Sequence, residues 1–115
     1  MVSMSQEQAI DALRESIRKI GDLNSKPAFS AEYAAWLLNT ASLLQEIFGK
    51  SSKIYQDFVH QEGKIKRIFI ADPWGGKRET YIQALEAARG ILQSGIDWIE
   101  QNGIENAKRR GRRNS

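Results

Sequence analysis

Apolar residues recur along this chain at spacings of three and four, in several separate stretches, the period of helices that bury one face. In the first stretch Ile10, Leu13, Ile17 and Ile20 form a single stripe. Ser5, with Gln8 three residues on, precedes it as a capping box. Gly21 stands where a left-handed C-cap belongs, and Pro27 forbids simple continuation. The pattern therefore predicts a helix over about residues 6–20.

The second stretch is the clearest. Ser30 is placed to cap a helix on which Tyr33, Trp36, Leu37, Ala41, Leu44, Ile47 and Phe48 share one wide face, and Gly49 ends it. Ser51 or Ser52 then caps a short helix striped by Ile54, Tyr55, Phe58 and Val59. Residues 60–76 do not declare themselves: the run from Lys64 to Ala71 is compatible with a strand, a helical continuation or an ordered loop. A lone strand would have no partner, so a helix extension followed by a loop is expected. Asp72 and Pro73 favour an extended turn there, and Gly75 and Gly76 take positive φ at little cost.

A long helix is predicted from about Lys77 to Gln101, stopped by Gly103. Tyr81, Leu85, Ala88, Leu92 and Ile99 share a face, flanked by Ala84, Ile91 and Trp98. Gly90 and Gly95 each cost about 1 kcal/mol against alanine inside a helix, which is tolerable where another helix approaches closely. The expected fold is all-α: a small antiparallel bundle of three main helices plus a short one, over residues 1–104, with a disordered basic tail at 105–115.

Composition narrows this picture. The chain has 115 residues, room for one core and not two, and its 41% hydrophobic content is that of a globular domain. It has no cysteine, which excludes disulfides, thiol catalysis and cysteine-ligated zinc. No apolar run approaches the roughly 20 residues of a membrane-spanning helix, and residues 1–20 lack a signal-peptide core, so a cytoplasmic setting without membrane contact is the expectation. The net charge of +3 is unevenly spread: residues 105–115 hold Glu105 against Lys108, Arg109, Arg110, Arg112 and Arg113, a net +4, which leaves the body at −1. A nearly neutral body argues against a general nucleic-acid footprint.

The candidate chemistry is sparse. His60, the single histidine, has no nucleophile or second titratable group at a catalytic spacing, and reads as a surface or capping residue at a helix end. Glu79, Glu86, Asp97 and Glu100 read as solvated faces, since the inward-facing acids and Glu-x-x-His pairs of a carboxylate metal site are missing. Trp74, between Pro73 and two glycines, can stack on a base or a partner side chain, or fold back as a lid on the bundle. Lys64, Lys66, Arg67, Lys77 and Arg78 bracket it, forming with Phe69 and Trp74 the one basic-aromatic group of the body; the alternative is a solubilising charge cluster. The tail residues Lys108, Arg109, Arg110, Arg112 and Arg113 can neutralise phosphates or acidic partners, or serve only as a solubilising end.

Three segments carry a resemblance: 36–49 (WLLNTASLLQEIFG), 51–58 (SSKIYQDF) and 81–92 (YIQALEAARGIL), whose helix runs on to Ile99. Together they resemble a helical module of bacterial proteins that precedes TIR-like or other nucleotide-binding domains. In that family a Trp-bearing helix ends in Ile-Phe-Gly, a Ser-x-x-x-Tyr/Phe helix follows, and a Tyr-x-x-x-Leu-x-x-Ala helix closes the unit. The match spans roughly residues 31–100 and consists mostly of packing positions. The sequence departs from the pattern by stopping at a basic tail, as a stand-alone relative or a fragment would.

The resemblance implies a sensing, docking or oligomerising accessory module in bacterial defence (antiviral defence included) or signalling, whose chemistry lies in another domain. The expectation is a non-enzymatic interaction module with no cofactor and no metal, bound to a protein partner or fused effector domain, with homo-oligomers among its assemblies. The alternative is a small nucleic-acid-binding protein that uses the tail and the basic-aromatic loop around Trp74.

Overall fold

A computed structural model describes residues 5–28, 30–71 and 77–104. Four helices account for nearly all of them, α1 (Gln6–Asn24), α2 (Ala31–Phe48), α3 (Lys53–Ala71) and α4 (Lys77–Asn102), with no strand among the described residues. The fold is a small all-α bundle. None of these helices is long and apolar enough to cross a membrane.

The starts and stops follow from local chemistry. Ser5 and Gln8 form the capping box, with Ser5 N–H donating to Gln8 Oε1 at 3.0 Å and Gln8 N–H donating to Ser5 Oγ at 3.1 Å. The Ser30 hydroxyl accepts from Tyr33 N–H at 3.3 Å, and the Ser52 hydroxyl accepts from Tyr55 N–H at 3.2 Å while donating to Gly49 O at 2.7 Å. Gly49 (φ 91°) and Gly103 (φ 88°) end α2 and α4 in backbone regions where a Cβ would be strained.

α1 does not stop at Gly21. It runs one turn further, because Leu23 extends the apolar stripe into the core at 5% exposure and α4 caps the end from outside the helix. Arg78 donates through Nη1 to Lys26 O at 2.6 Å and through Nη2 to Asn24 O, and the Tyr81 hydroxyl donates to Leu23 O at 2.6 Å. These contacts outweigh the roughly 1 kcal/mol that an exposed helical glycine costs. The third helix is not short: α3 continues through 60–71, so His60 is mid-helix and exposed, and Val59 is 39% exposed off the stripe it was expected to share.

Consecutive helices run antiparallel, and α4 closes the ring by packing on α1 as well as α3. The direction of the α1–α4 pair is fixed by Tyr81 meeting Leu23 at one end, Arg14 facing Glu100 at 3.6 Å further along, and Gly103 lying beside Gln6 at the other end. The expected stripes meet in the centre. Leu13, Ile20, Leu44, Ile47, Tyr81, Leu85, Leu92 and Ile99 are each fully buried.

Trp36 ties the layers together. Its indole Nε1–H donates to Ser16 O of α1 at 3.0 Å, and its ring lies 6.2 Å edge-on from Phe58 of α3. Its neighbour Tyr33 meets Tyr81 of α4 edge-to-face at 5.1 Å. Of the two glycines in α4, Gly95 is the close approach: a Cβ there would lie 3.2 Å from Phe48 Cζ of the same chain. Gly90 faces open space.

Candidate interaction surface

Only part of the sequence-predicted set falls among the residues whose side chains are described. Lys64, Lys66 and Arg67 belong to α3, in the helix extension expected there. Lys77 opens α4. Arg78 is committed to the carbonyls at the end of α1, and its guanidinium lies 5.6 Å from the Tyr81 ring centre. It is a capping residue, since cations stabilise the negative end of a helix. Trp74, the double glycine, and Lys108, Arg109, Arg110, Arg112 and Arg113 lie outside the described residues. Glu79, Glu86, Asp97 and Glu100 are exposed, and no group of metal-ligating side chains occurs among the described residues.

Two features of α2 went unnoticed in the sequence. The first is a groove of about 350 Å³ between α1 and α2. Leu23 and Trp36, each 5% exposed, form its floor, and Lys19, Asp22, Lys26 and Glu32 stand on its rim. Arg18, on the same helix, is spent on Glu15 at 2.9 Å, and this hydrogen bond holds the Glu15 carboxyl below the usual carboxylate range. The Lys26 ammonium has no carboxylate within ion-pair distance among the described residues.

The second feature is the outward face of α2. Ala31, Ala34, Ala35, Leu38, Asn39, Ser42 and Gln45 are all exposed, and no charged residue occurs between Glu32 and Glu46. Leu38 is 72% exposed, against 39% for Val59 of α3. The signal was present in the register: at about 100° per residue, position 38 lies outside the arc marked by Tyr33, Trp36, Leu37, Ala41, Leu44, Ile47 and Phe48. α1 and α4 carry exposed charges along their length, whereas between Glu32 and Glu46 the exposed positions of α2 are alanine, leucine, asparagine, serine and glutamine. An exposed apolar residue on an uncharged helix face is the kind of surface at which partners dock.

No protein-family model matches this sequence, and no curated protein or solved structure is similar to it.

Proposed function

We propose that this chain is a non-enzymatic, cytoplasmic helical interaction module that docks a protein through the outward face of α2 and the adjoining α1–α2 groove. The observation that carries this reading is Leu38, held 72% exposed in the middle of a charge-free helix face. An isolated exposed leucine is ordinary, but this one stands on a helix face whose exposed positions from Ala34 to Gln45 carry no charge. The resemblance over residues 31–100 supports a setting in bacterial defence or signalling, beside an effector domain that holds the chemistry. Use of Arg78 as a cap removes one cation from the rival nucleic-acid surface, which weakens that reading.

The test is a photo-reactive amino acid placed at position 38, with position 86 on the exposed side of α4 as the control. In the cells that make the protein, illumination should give defined protein adducts from position 38 and none above background from position 86. Equal labelling at both positions, or none at either, removes the interaction-module reading.

A further inference from the structure

Resting on that reading, we infer that the α1–α2 groove receives a tyrosine side chain of the docked partner, its ring against Trp36 and its hydroxyl paired with Thr40. Thr40 is 1% exposed, the one polar residue in the core among the described residues, and it lines the groove. A threonine inside a helix ordinarily satisfies its hydroxyl on the carbonyl four residues back. Thr40 does not: its side chain makes no hydrogen bond among the described residues. Nor is its oxygen sealed off, since the sealed and unpaired side-chain atoms there are Asn24 Oδ1 and Arg89 Nε. The hydroxyl is therefore part of what Thr40 leaves open, and it opens to the groove. An unpaired hydroxyl at the base of an apolar cleft costs free energy, which an occupant that brings a hydroxyl of its own recovers.

The rest of the groove selects the side chain. Its floor is Trp36 and Leu23, which calls for an apolar body, and an aromatic floor favours a flat one. Trp36 itself offers no donor, because its indole N–H is already given to Ser16 O at 3.0 Å. The rim sets Lys19 and Lys26 against Asp22 and Glu32, so it selects no net charge. A phenylalanine would cover the Thr40 hydroxyl and leave it unpaired. An acid would carry its charge onto a floor that holds no cation. Tyrosine has the apolar body and a tip that both donates and accepts. It is also among the residues on which interfaces concentrate their binding energy. About 350 Å³ takes such a side chain, but not a whole helix about 10 Å across.

Titration of the full chain with N-acetyl-tyrosinamide and N-acetyl-phenylalaninamide, followed by amide and indole NMR shifts, tests this. The tyrosine probe should bind with a Kd of about 1 mM and move the resonances of Ser16, Ala35 and the Trp36 indole. The phenylalanine probe should bind about fivefold more weakly, the difference that one hydrogen bond makes. Thr40→Val removes the hydroxyl and keeps the branched shape, and should bring the tyrosine probe down to the phenylalanine level. Ala35→Phe, at an exposed position on the groove wall, should abolish the binding of both by filling the cleft. The proposal is overturned by the absence of shifts with the tyrosine probe at about 10 mM, or by equal binding of the two probes. A preference that survives Thr40→Val, or shifts that persist in Ala35→Phe, overturns it as well. The position-38 adducts answer separately. Adducts without a tyrosine preference remove the anchor and leave the interaction module standing. A preference without adducts removes the module, and with it the claim that a partner protein supplies the tyrosine.

Discussion

Gly95 of α4 faces the ring of Phe48 from α2 so closely that a methyl group in its place would lie 3.2 Å from Cζ and 3.3 Å from Cε2. Phe48 is 3% exposed and meets Trp98 edge-on at 6.4 Å, so its ring has little freedom to retreat. Five residues earlier Gly90 is exposed, with nothing near its α-carbon. The same residue type in the same helix therefore answers to opposite constraints.

The two glycines should respond to substitution with opposite signs. Gly90→Ala should raise unfolding stability by about 0.5–1 kcal/mol, because alanine loses less entropy on entering a helix and meets no obstacle. Gly95→Leu should lower it by about 1–3 kcal/mol through overpacking, although leucine is the better helix former. Urea titrations of both variants are the check, and a stabilised Gly95→Leu would contradict the placement of α4 against Phe48.

Arg78 holds the end of α1 from α4 through the carbonyls of Asn24 and Lys26. Arg78→Ala should cost about 1–2 kcal/mol, a charged hydrogen-bond contribution reduced by exposure of the site. Arg78→Lys should recover only part of this, since one ammonium cannot span two carbonyls as a guanidinium fork does. Amide exchange at Ser25 and Lys26, whose N–H groups close the last turn onto Asp22 O and Leu23 O, should accelerate in the alanine variant.

Burial raises the Tyr81 hydroxyl above the ordinary tyrosine value, against the opposing pull of Arg78. The folded state then keeps a proton that the unfolded chain has begun to lose. The associated stability is complete below about pH 10 and falls as the pH rises beyond it. Tyr81→Phe should remove that alkaline loss and lower stability at neutral pH by about 1 kcal/mol, the hydrogen bond to Leu23 O. Thermal melts of both proteins from neutral pH to above pH 10 compare the two slopes directly.

Binding to random oligonucleotides should be weak at physiological salt and should arise from the tail. Each phosphate neutralised on duplex DNA contributes about 0.9 to the salt slope, so deleting residues 105–115 should flatten that slope most. The same deletion should leave the position-38 adduct intact. Tight binding that survives tail deletion, yet vanishes when Lys64, Lys66 and Arg67 are reversed to Glu, would put a nucleic-acid site on the body instead.

Stripes and caps were legible in the sequence because they are local. Ser5, Ser30 and Ser52 cap the helices they precede, and the buried faces of α1, α2 and α4 are those the three- and four-residue spacings marked. What escaped depended on residues far apart in the chain. The last turn of α1 exists because Arg78 and Tyr81, more than fifty residues away, accept the task of capping it. The length of α3 was hidden in a run whose composition suits strand and helix equally. Of the basic cluster around Trp74, Arg78 is the member whose side chain is described, and it caps α1. Leu38 escaped for a simpler reason: it lies off the stripe from Tyr33 to Phe48, and its exposure gains meaning only beside the uncharged run from Tyr33 to Gln45.

The α1–α4 pairing, with Gln6 beside Gly103, has a topological consequence. A polypeptide that enters this bundle at Ser5 and leaves at Ile104 does both through the same pole. The unit can therefore be spliced into a surface loop of a host protein without prying that loop apart, or closed into a ring by a short bridge. In either arrangement the far pole, where α1 turns into α2, stays clear of the splice.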